Sequence, residues 1–350
     1  MNMKKIAISV LLALVSLCLV FAQSTTEVKT EAKTQVFIDD LGREVVLPET
    51  ITRVAPSGSN AQLPVFQLAP EYLAGLSDKL SSAEEEMYPQ YTHSLPVVGT
   101  LYGKKGNFNK EALILTNAEL IIDVGDIKGS KEDMAKDLDK ISSEIGVPVI
   151  FLEANINNYP EVFRTLGKLL KKEERAEQLA AFYEAAVSEL EKYKTDEKPR
   201  VYLTSSNDGL NAILSGKNHA QCAEKTGAEV VVSSKLAQAN GSISLETLYQ
   251  LDPDYIFAYT EEGYRTITTQ KDWAVLSAVQ NNRVYLVPTM PHNFIDNPVS
   301  SNRIIGLYYL ASIFYPQAGI DIVEKTKQFY SLFFGKDLSD AQVRTILHLD

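Results

Sequence analysis

The chain predicts an α/β fold of two similar lobes, and three observations carry that prediction. The first is an internal repeat. Glu111-Ala112-Leu113, followed by Asn117-Ala118-Glu119-Leu120-Ile121-Ile122, returns 135 residues later as Glu246-Thr247-Leu248, followed by Asp252-Pro253-Asp254-Tyr255-Ile256-Phe257. The register holds further on: Lys136-Asp137-Leu138 falls on Lys271-Asp272-Trp273, and residues 147–152 fall on residues 282–287. The second is the alternation of short apolar runs with helical periodicity, the pattern of a parallel sheet covered by helices. The third is a charged, periodic stretch at 159–194 that separates the two copies. Together they give two Rossmann-like lobes with parallel sheets joined by a long linker helix. A ligand is expected in the cleft between them.

Residues 1–22 read as a signal peptide. Lys4 and Lys5 precede a sixteen-residue apolar run, 6–21, too short to span a membrane, and Ala22 offers a small residue at the cleavage position. Export to the periplasm follows. Cys18, after Val15-Ser16-Leu17, offers lipid anchoring as the weaker alternative, because Leu17 is large where a lipoprotein site wants a small residue. Residues 23–35 read as a disordered tether, 36–157 as the N-terminal lobe, 158–195 as linker helices and 196–350 as the C-terminal lobe.

Within the first lobe, Asp40-Leu41-Gly42-Arg43 marks a hairpin turn between 36–38 and 44–47. A strand at Arg53-Val54-Ala55 and a helix over 61–68 follow. The linker reads as two helical segments meeting near Glu173, the second running to Lys194 over about 33 Å at about 1.5 Å per residue. The second lobe opens with a strand at 199–203. A helix follows at 219–226, ended by Gly227, and then a strand at 229–232. Its last helices cover 302–314 and 320–334.

Charge and cysteine content exclude several classes. Without Lys4 and Lys5 the 34 Lys and Arg fall to 32 against 45 Asp and Glu, which moves the formal net charge from −11 to −13. That argues against nucleic acid and against an anionic membrane surface as partners. Past the leader only Cys222 remains, so no internal disulfide is expected. There is no Gly-x-Ser-x-Gly elbow, Walker phosphate loop or His-Glu-x-x-His motif, so an exported enzyme has no recognisable nucleophile or metal centre. The repeat and the linker argue against an adhesive surface protein.

The opening Asp-x-Leu-Gly-Arg turn with Leu47-Pro48, the Glu-x-Leu…Asp-Pro-Asp-x-Ile segment at Glu246 and the mid-chain helix resemble the periplasmic substrate-binding proteins of ABC importers for ferric siderophores, haem and cobalamin. The resemblance runs from about Val36 to Pro316. Ala118-Glu119 and Thr116 depart from the family's usual residues. The resemblance implies a monomer without catalysis or intrinsic cofactor. It would capture a ferric chelate, or alternatively haem, cobalamin or a molybdate or tungstate oxyanion, and deliver it to an ABC importer permease. It further implies that Glu111 and Glu246, one per lobe, dock onto arginines of the permease. Asn109 and Ser244, two residues before them, also mark helix starts.

Candidate ligand-binding residues come from loops at the carboxyl ends of the strands. Ser57, Ser59 and Asn60 precede a helix and are candidates for an anion. Tyr102, Tyr259 and Tyr264 offer aromatic walls or phenolates. Asp126 belongs to the loop after the repeat's first strand. His219 and His292 are possible metal or polar contacts, though no histidine pair stands at ligand spacing. Arg265 and Arg303 are candidates to neutralise an anionic chelate. The loop 290–298, with His292, Asn293 and Phe294, is the most distinctive of these segments.

Overall fold

The structure is a computed structural model that describes residues 33–101 and 106–349. The leader, Cys18, most of the tether and Tyr102 lie outside the described residues. Residues 35–350 make one compact unit.

A hairpin comes first: β1 (Thr34–Ile38) and β2 (Glu44–Pro48), a two-stranded sheet of their own. Asp39 holds the turn, accepting from Leu41 N and Arg43 N at 3.1 Å and pairing with the Arg43 guanidinium at 2.6 Å. The N-terminal lobe then runs β3 (Val54–Pro56), α1 (Ser59–Leu68), α2 (Ser82–Met87), α3 (Lys110–Thr116), β4 (Leu120–Gly125), α4 (Lys131–Ile145) and β5 (Val149–Glu153). Its sheet is parallel, in the order β3-β4-β5. The run Leu120–Gly125 is buried throughout, as a central strand covered on both faces must be.

The linker is α5 (Tyr159–Leu170) and α6 (Glu173–Leu190). Lys171 adopts a left-handed conformation and folds α6 back onto α5. Gly167 makes the close approach possible, since a Cβ there would stand 2.4 Å from Ala176 Cβ. Arg164 clamps the pair, reaching Glu177 and Glu184 at 2.7 Å each. The expected second segment is shorter than its sequence suggested. It stops at Leu190 rather than Lys194, about 27 Å long at about 1.5 Å per residue, and Glu191, Lys192 and Tyr193 form a turn.

The C-terminal lobe follows with β6 (Arg200–Thr204), α7 (Gln221–Lys225), β7 (Glu229–Val230), α8 (Leu245–Leu251), β8 (Tyr255–Ala258), α9 (Glu261–Thr269), α10 (Ser277–Gln280) and β9 (Val284–Leu286). The parallel order is β7-β6-β8-β9. The strand expected over 229–232 is shorter, with two paired residues: Val231 N still donates to Val201 O at 3.0 Å, and Val232 O then accepts from Ser215 N at 2.8 Å, outside the sheet. The chain closes with α11 (Arg303–Phe314), α12 (Ile322–Phe334) and α13 (Asp340–Ile346). The last helix packs on α12 through buried Val343 and the Lys327–Asp340 ion pair at 2.8 Å.

The repeat is visible in the pairing. Ile121 faces Val149 in the first sheet, and Ile256 faces Val284 in the second, each position shifted by 135. The strand starts are fastened alike. Arg53 Nε donates to Thr116 O at 2.8 Å, and the Arg200 guanidinium donates to Leu251 O at 2.6 Å. Glu119 accepts from Arg53 N at 3.0 Å, and Asp254 accepts from Arg200 N at 2.9 Å. Glu119 therefore does the work of the aspartate found in the second copy, which explains why that departure is tolerated.

One apolar core crosses the whole unit. It joins Phe66 of α1, Phe163 of α5, Leu179 of α6, Leu307 of α11 and Phe333 of α12. Phe182 and Phe163 meet Phe333 at ring distances of 5.5 Å and 6.2 Å. The linker is thus a packed wall rather than a free strut. Smaller clusters sit under each sheet, around Phe151 in one lobe and Trp273 in the other. Among the described residues no helix is long and apolar enough to cross a membrane.

Candidate functional site

A cleft of about 790 Å³ opens between the lobes. The N-terminal lobe gives it Ser59, Ser81 and Glu84. The C-terminal lobe gives Ser205, His219, Tyr259, Thr260 and the loop from Thr289 to Pro298. That loop is seated by α11. Gly306 has no side chain where a Cβ would lie 2.3 Å from Phe294 O, so the loop rests directly on the helix. Asn293 Oδ1 accepts from Ile295 N and Asp296 N at 3.0 Å, and Asn302 donates to Asn293 O. Phe294 points into the core, edge-on to Tyr309 at 6.2 Å, and anchors the loop from beneath.

Two imidazoles face the cleft, each beside a carboxylate. His219 Nδ1 lies 2.5 Å from Asp296 Oδ1, and Asp296 is buried. The hydrogen bond to Asp296 raises the His219 pKa above its ordinary 6.5. With Nδ1 engaged, Nε2 is the nitrogen left for a ligand. His292 is more deeply buried. Its Nε2 is 3.4 Å from Tyr88 OH and 3.8 Å from Glu84 Oε1, both across the cleft on the N-terminal lobe. Burial lowers its pKa, partly offset by Glu84. Tyr259 lines the same wall. Its hydroxyl is buried with no hydrogen-bond partner among the described residues, and burial holds it well above the ordinary tyrosine value.

Beneath the cleft lies a buried cation. The Arg303 guanidinium donates to Asn218 O at 3.0 Å and to Tyr159 OH at 3.2 Å. It joins the start of α5 to the C-terminal lobe. Asp126 bonds Asn218 from the opposite lobe, and burial raises its pKa against the pull of Arg303 and Lys128. Ser300 Oγ donates to Asn60 O at 2.9 Å, and Ser301 Oγ donates to Gln67 Oε1 at 2.6 Å. These bonds pin the lobes to one another at the base.

The sequence-nominated residues therefore divide. Ser59, His219, Tyr259, His292 and Asn293 line the cleft. Asn60, Asp126, Phe294 and Arg303 support it from below. Ser57 is turned into the sheet, where its hydroxyl donates to buried Asp123 at 2.5 Å. Arg265 is exposed on α9, 3.8 Å from Glu262, away from the cleft lining. Arg303 is too buried to meet an anionic ligand directly. Tyr264 packs against the small core around Trp273. Glu111 and Glu246 stand exposed in the first turns of α3 and α8, capped by Asn109 and Ser244. Sequence reasoning missed Glu84, which belongs to a Ser81-x-x-Glu84 capping box rather than a strand end. It also missed Asp296, although the loop that carries it was singled out.

The family model for periplasmic binding proteins matches residues 57–290. The chain belongs to the periplasmic binding protein family. It is 30% identical to an ABC transporter solute binding protein from Sulfurospirillum deleyianum, with a TM-score of 0.80 over 89% of this chain and 99% of that one. A periplasmic solute binding protein from Veillonella parvula shares the fold at 19% identity, with a TM-score of 0.74 over 91% of this chain and 98% of that one. The Fe(3+)-citrate-binding protein YfmC of Bacillus subtilis (strain 168) is 27% identical over 194 residues, 53% of this chain and 58% of that protein. The two-lobed architecture is thus that of extracytoplasmic solute-binding proteins, and the members compared are binders rather than enzymes.

Proposed function

We propose that this periplasmic binding protein delivers a ferric chelate to an ABC importer, holding it in the inter-lobe cleft. The observation that carries this reading is the C-terminal wall. There Asp296 orients His219, and Tyr259 and His292 stand beside it over a space of about 790 Å³. That volume suits a multidentate complex, whereas a single oxyanion fills little of it. Hydroxyls of Ser59, Ser205, Thr260 and Thr289 supply further polar contacts. The likeness to a protein named for Fe(3+)-citrate binding supports the same class of ligand. On this reading Glu111 and Glu246 meet cations of the permease, one from each lobe.

A thermal-shift panel tests it. Ligand at about 100 times its Kd adds roughly 2.7 kcal/mol of stability. A ferric citrate or ferric siderophore complex is expected to raise Tm, and haem, cobalamin, molybdate and tungstate are expected to leave it unchanged. A shift with molybdate or tungstate alone would overturn the chelate reading.

A further inference from the structure

The short helices α3 and α8 present the same surface twice. Glu111 and Glu246 occupy equivalent exposed positions, and Leu113 and Leu248 are the equivalent buried anchors. The residues three and four places after each glutamate are exposed in both helices. At helical spacing those two side chains flank the carboxylate on one face. In α3 they are Ile114 and Leu115, 69% and 74% exposed, the most exposed large apolar side chains among the described residues. In α8 they are Tyr249 and Gln250. The Tyr249 hydroxyl donates at 2.6 Å to Asp272 O, in the 3-10 turn Lys271–Val275 that packs on α8 and leaves Val275 exposed.

A single exposed leucine is ordinary. An adjacent apolar pair around a carboxylate, at a position the other lobe also keeps exposed, is a patch that a partner covers. Lys110, the preceding residue, is committed elsewhere, since it pairs with Glu144 at 2.6 Å. A second copy of this chain fits poorly, because joining α3 or α8 of one copy to α3 or α8 of another sets carboxylate against carboxylate.

We infer that Ile114 and Leu115 form an apolar contact with the importer's permease, with Tyr249 and Val275 their counterpart on the other lobe. This rests on the solute-binding reading above. The matching permease surface places a cation opposite each glutamate inside an apolar ring, and the ring is more apolar opposite the N-terminal lobe. Excluding water around the carboxylate strengthens the ion pair it encloses.

The test compares Ile114→Ser/Leu115→Ser, Tyr249→Ser and Glu111→Ala/Glu246→Ala with the wild-type chain. Binding is measured to the cognate permease–ATPase complex in nanodiscs, and self-association by sedimentation. The α3 double variant is expected to raise Kd at least tenfold with Tm and sedimentation unchanged, because Ile114 and Leu115 lie outside the core. Tyr249→Ser is expected to raise Kd a few-fold with sedimentation unchanged, and its Tm falls only by what the lost bond to Asp272 O contributes. An α3 variant that binds like wild type, while the glutamate variant is weakened, would overturn the apolar contact and leave the importer reading standing. A wild-type chain that does not bind the importer would overturn both. Wild-type dimers that the α3 substitutions dissociate would assign the patch to a second copy and overturn the permease contact.

Discussion

The two lobes share a frame and differ in their chemistry. Strand register and the left-handed caps at Asn117 and Asp252 recur at the 135-residue offset, and so do the helix-end carbonyls of Thr116 and Leu251, each held by an arginine from a neighbouring strand start. The cleft does not recur. Its wall is mostly C-terminal: His219 before α7, Tyr259 after β8 and the loop after β9. The N-terminal lobe contributes Ser59 and, from the short helix α2 and its cap, Glu84 and Ser81. Within β4 stands Asp123, buried, bonded to Ser57 and with its pKa raised by burial; the equivalent residue of β8 is Ala258. Duplication therefore marks the scaffold and the exposed glutamates of α3 and α8. The residues that line the cleft lie where the copies have diverged.

The largest expected break lies in the unrepeated base of the cleft. Arg303→Ala leaves Asn218 O and Tyr159 OH without their donor and opens a cavity in the shared core. Its cost is expected to be about 3–5 kcal/mol in urea unfolding. A loss below about 1 kcal/mol would show that Arg303 is not the tie between linker and lobe.

The twin fastenings sharpen the comparison. Arg53→Ala and Arg200→Ala each leave helix-end carbonyls without their donor, Thr116 O in one lobe and Leu251 O and Asp252 O in the other, and losses of about 1–3 kcal/mol are expected, equal within about 0.5 kcal/mol. A large inequality would mean that the lobes share geometry but not energetics. The caps provide a smaller contrast. Asn117→Gly is expected to be neutral or to add a few tenths of a kcal/mol, since its φ of 49° suits glycine. Asp252→Gly relieves the same strain but loses the bonds to Ser277 N and Oγ at 2.8 Å and 2.6 Å. A net loss of about 1 kcal/mol is expected.

The cleft histidines differ in the sign of their pH dependence. The folded pKa of His219 is raised, so its contribution to stability is complete below 6.5 and fades as pH rises through the folded value. That of His292 is lowered, so its contribution holds above 6.5 and is lost as pH falls through the lower value. Proton NMR titration is expected to find His219 titrating above 6.5 and His292 below it. The reverse order would mean that Asp296 does not hold His219 in solution.

Much of this was legible in the sequence, for physical reasons. A parallel strand covered on both faces reads as a near-continuous apolar run, so Leu120–Gly125 announces itself despite Asp123, and a 135-residue offset exposes its partner. Asn109 and Ser244 announce their helices through capping chemistry. The cleft was legible only in part. Strand-end logic found His219, Tyr259 and the loop 290–298, but it also nominated Ser57 and Arg265, because spacing alone does not say which way a side chain turns. Glu84 carries no signal beyond its helix cap; only folding brings it 3.8 Å from His292, 208 positions along the chain. Arg303 reads as a ligand's counter-charge in sequence. In the fold it is the tie beneath the site.

Calorimetric titration with a ferric chelate tests the central claim most directly, using wild type, His219→Ala and Glu111→Ala/Glu246→Ala. The account predicts saturable one-to-one binding by wild type. It predicts affinity at least tenfold weaker in His219→Ala and unchanged in the paired glutamate variant. Absence of binding by wild type, or equal losses in both variants, would contradict a ligand site built on the diverged wall of the cleft.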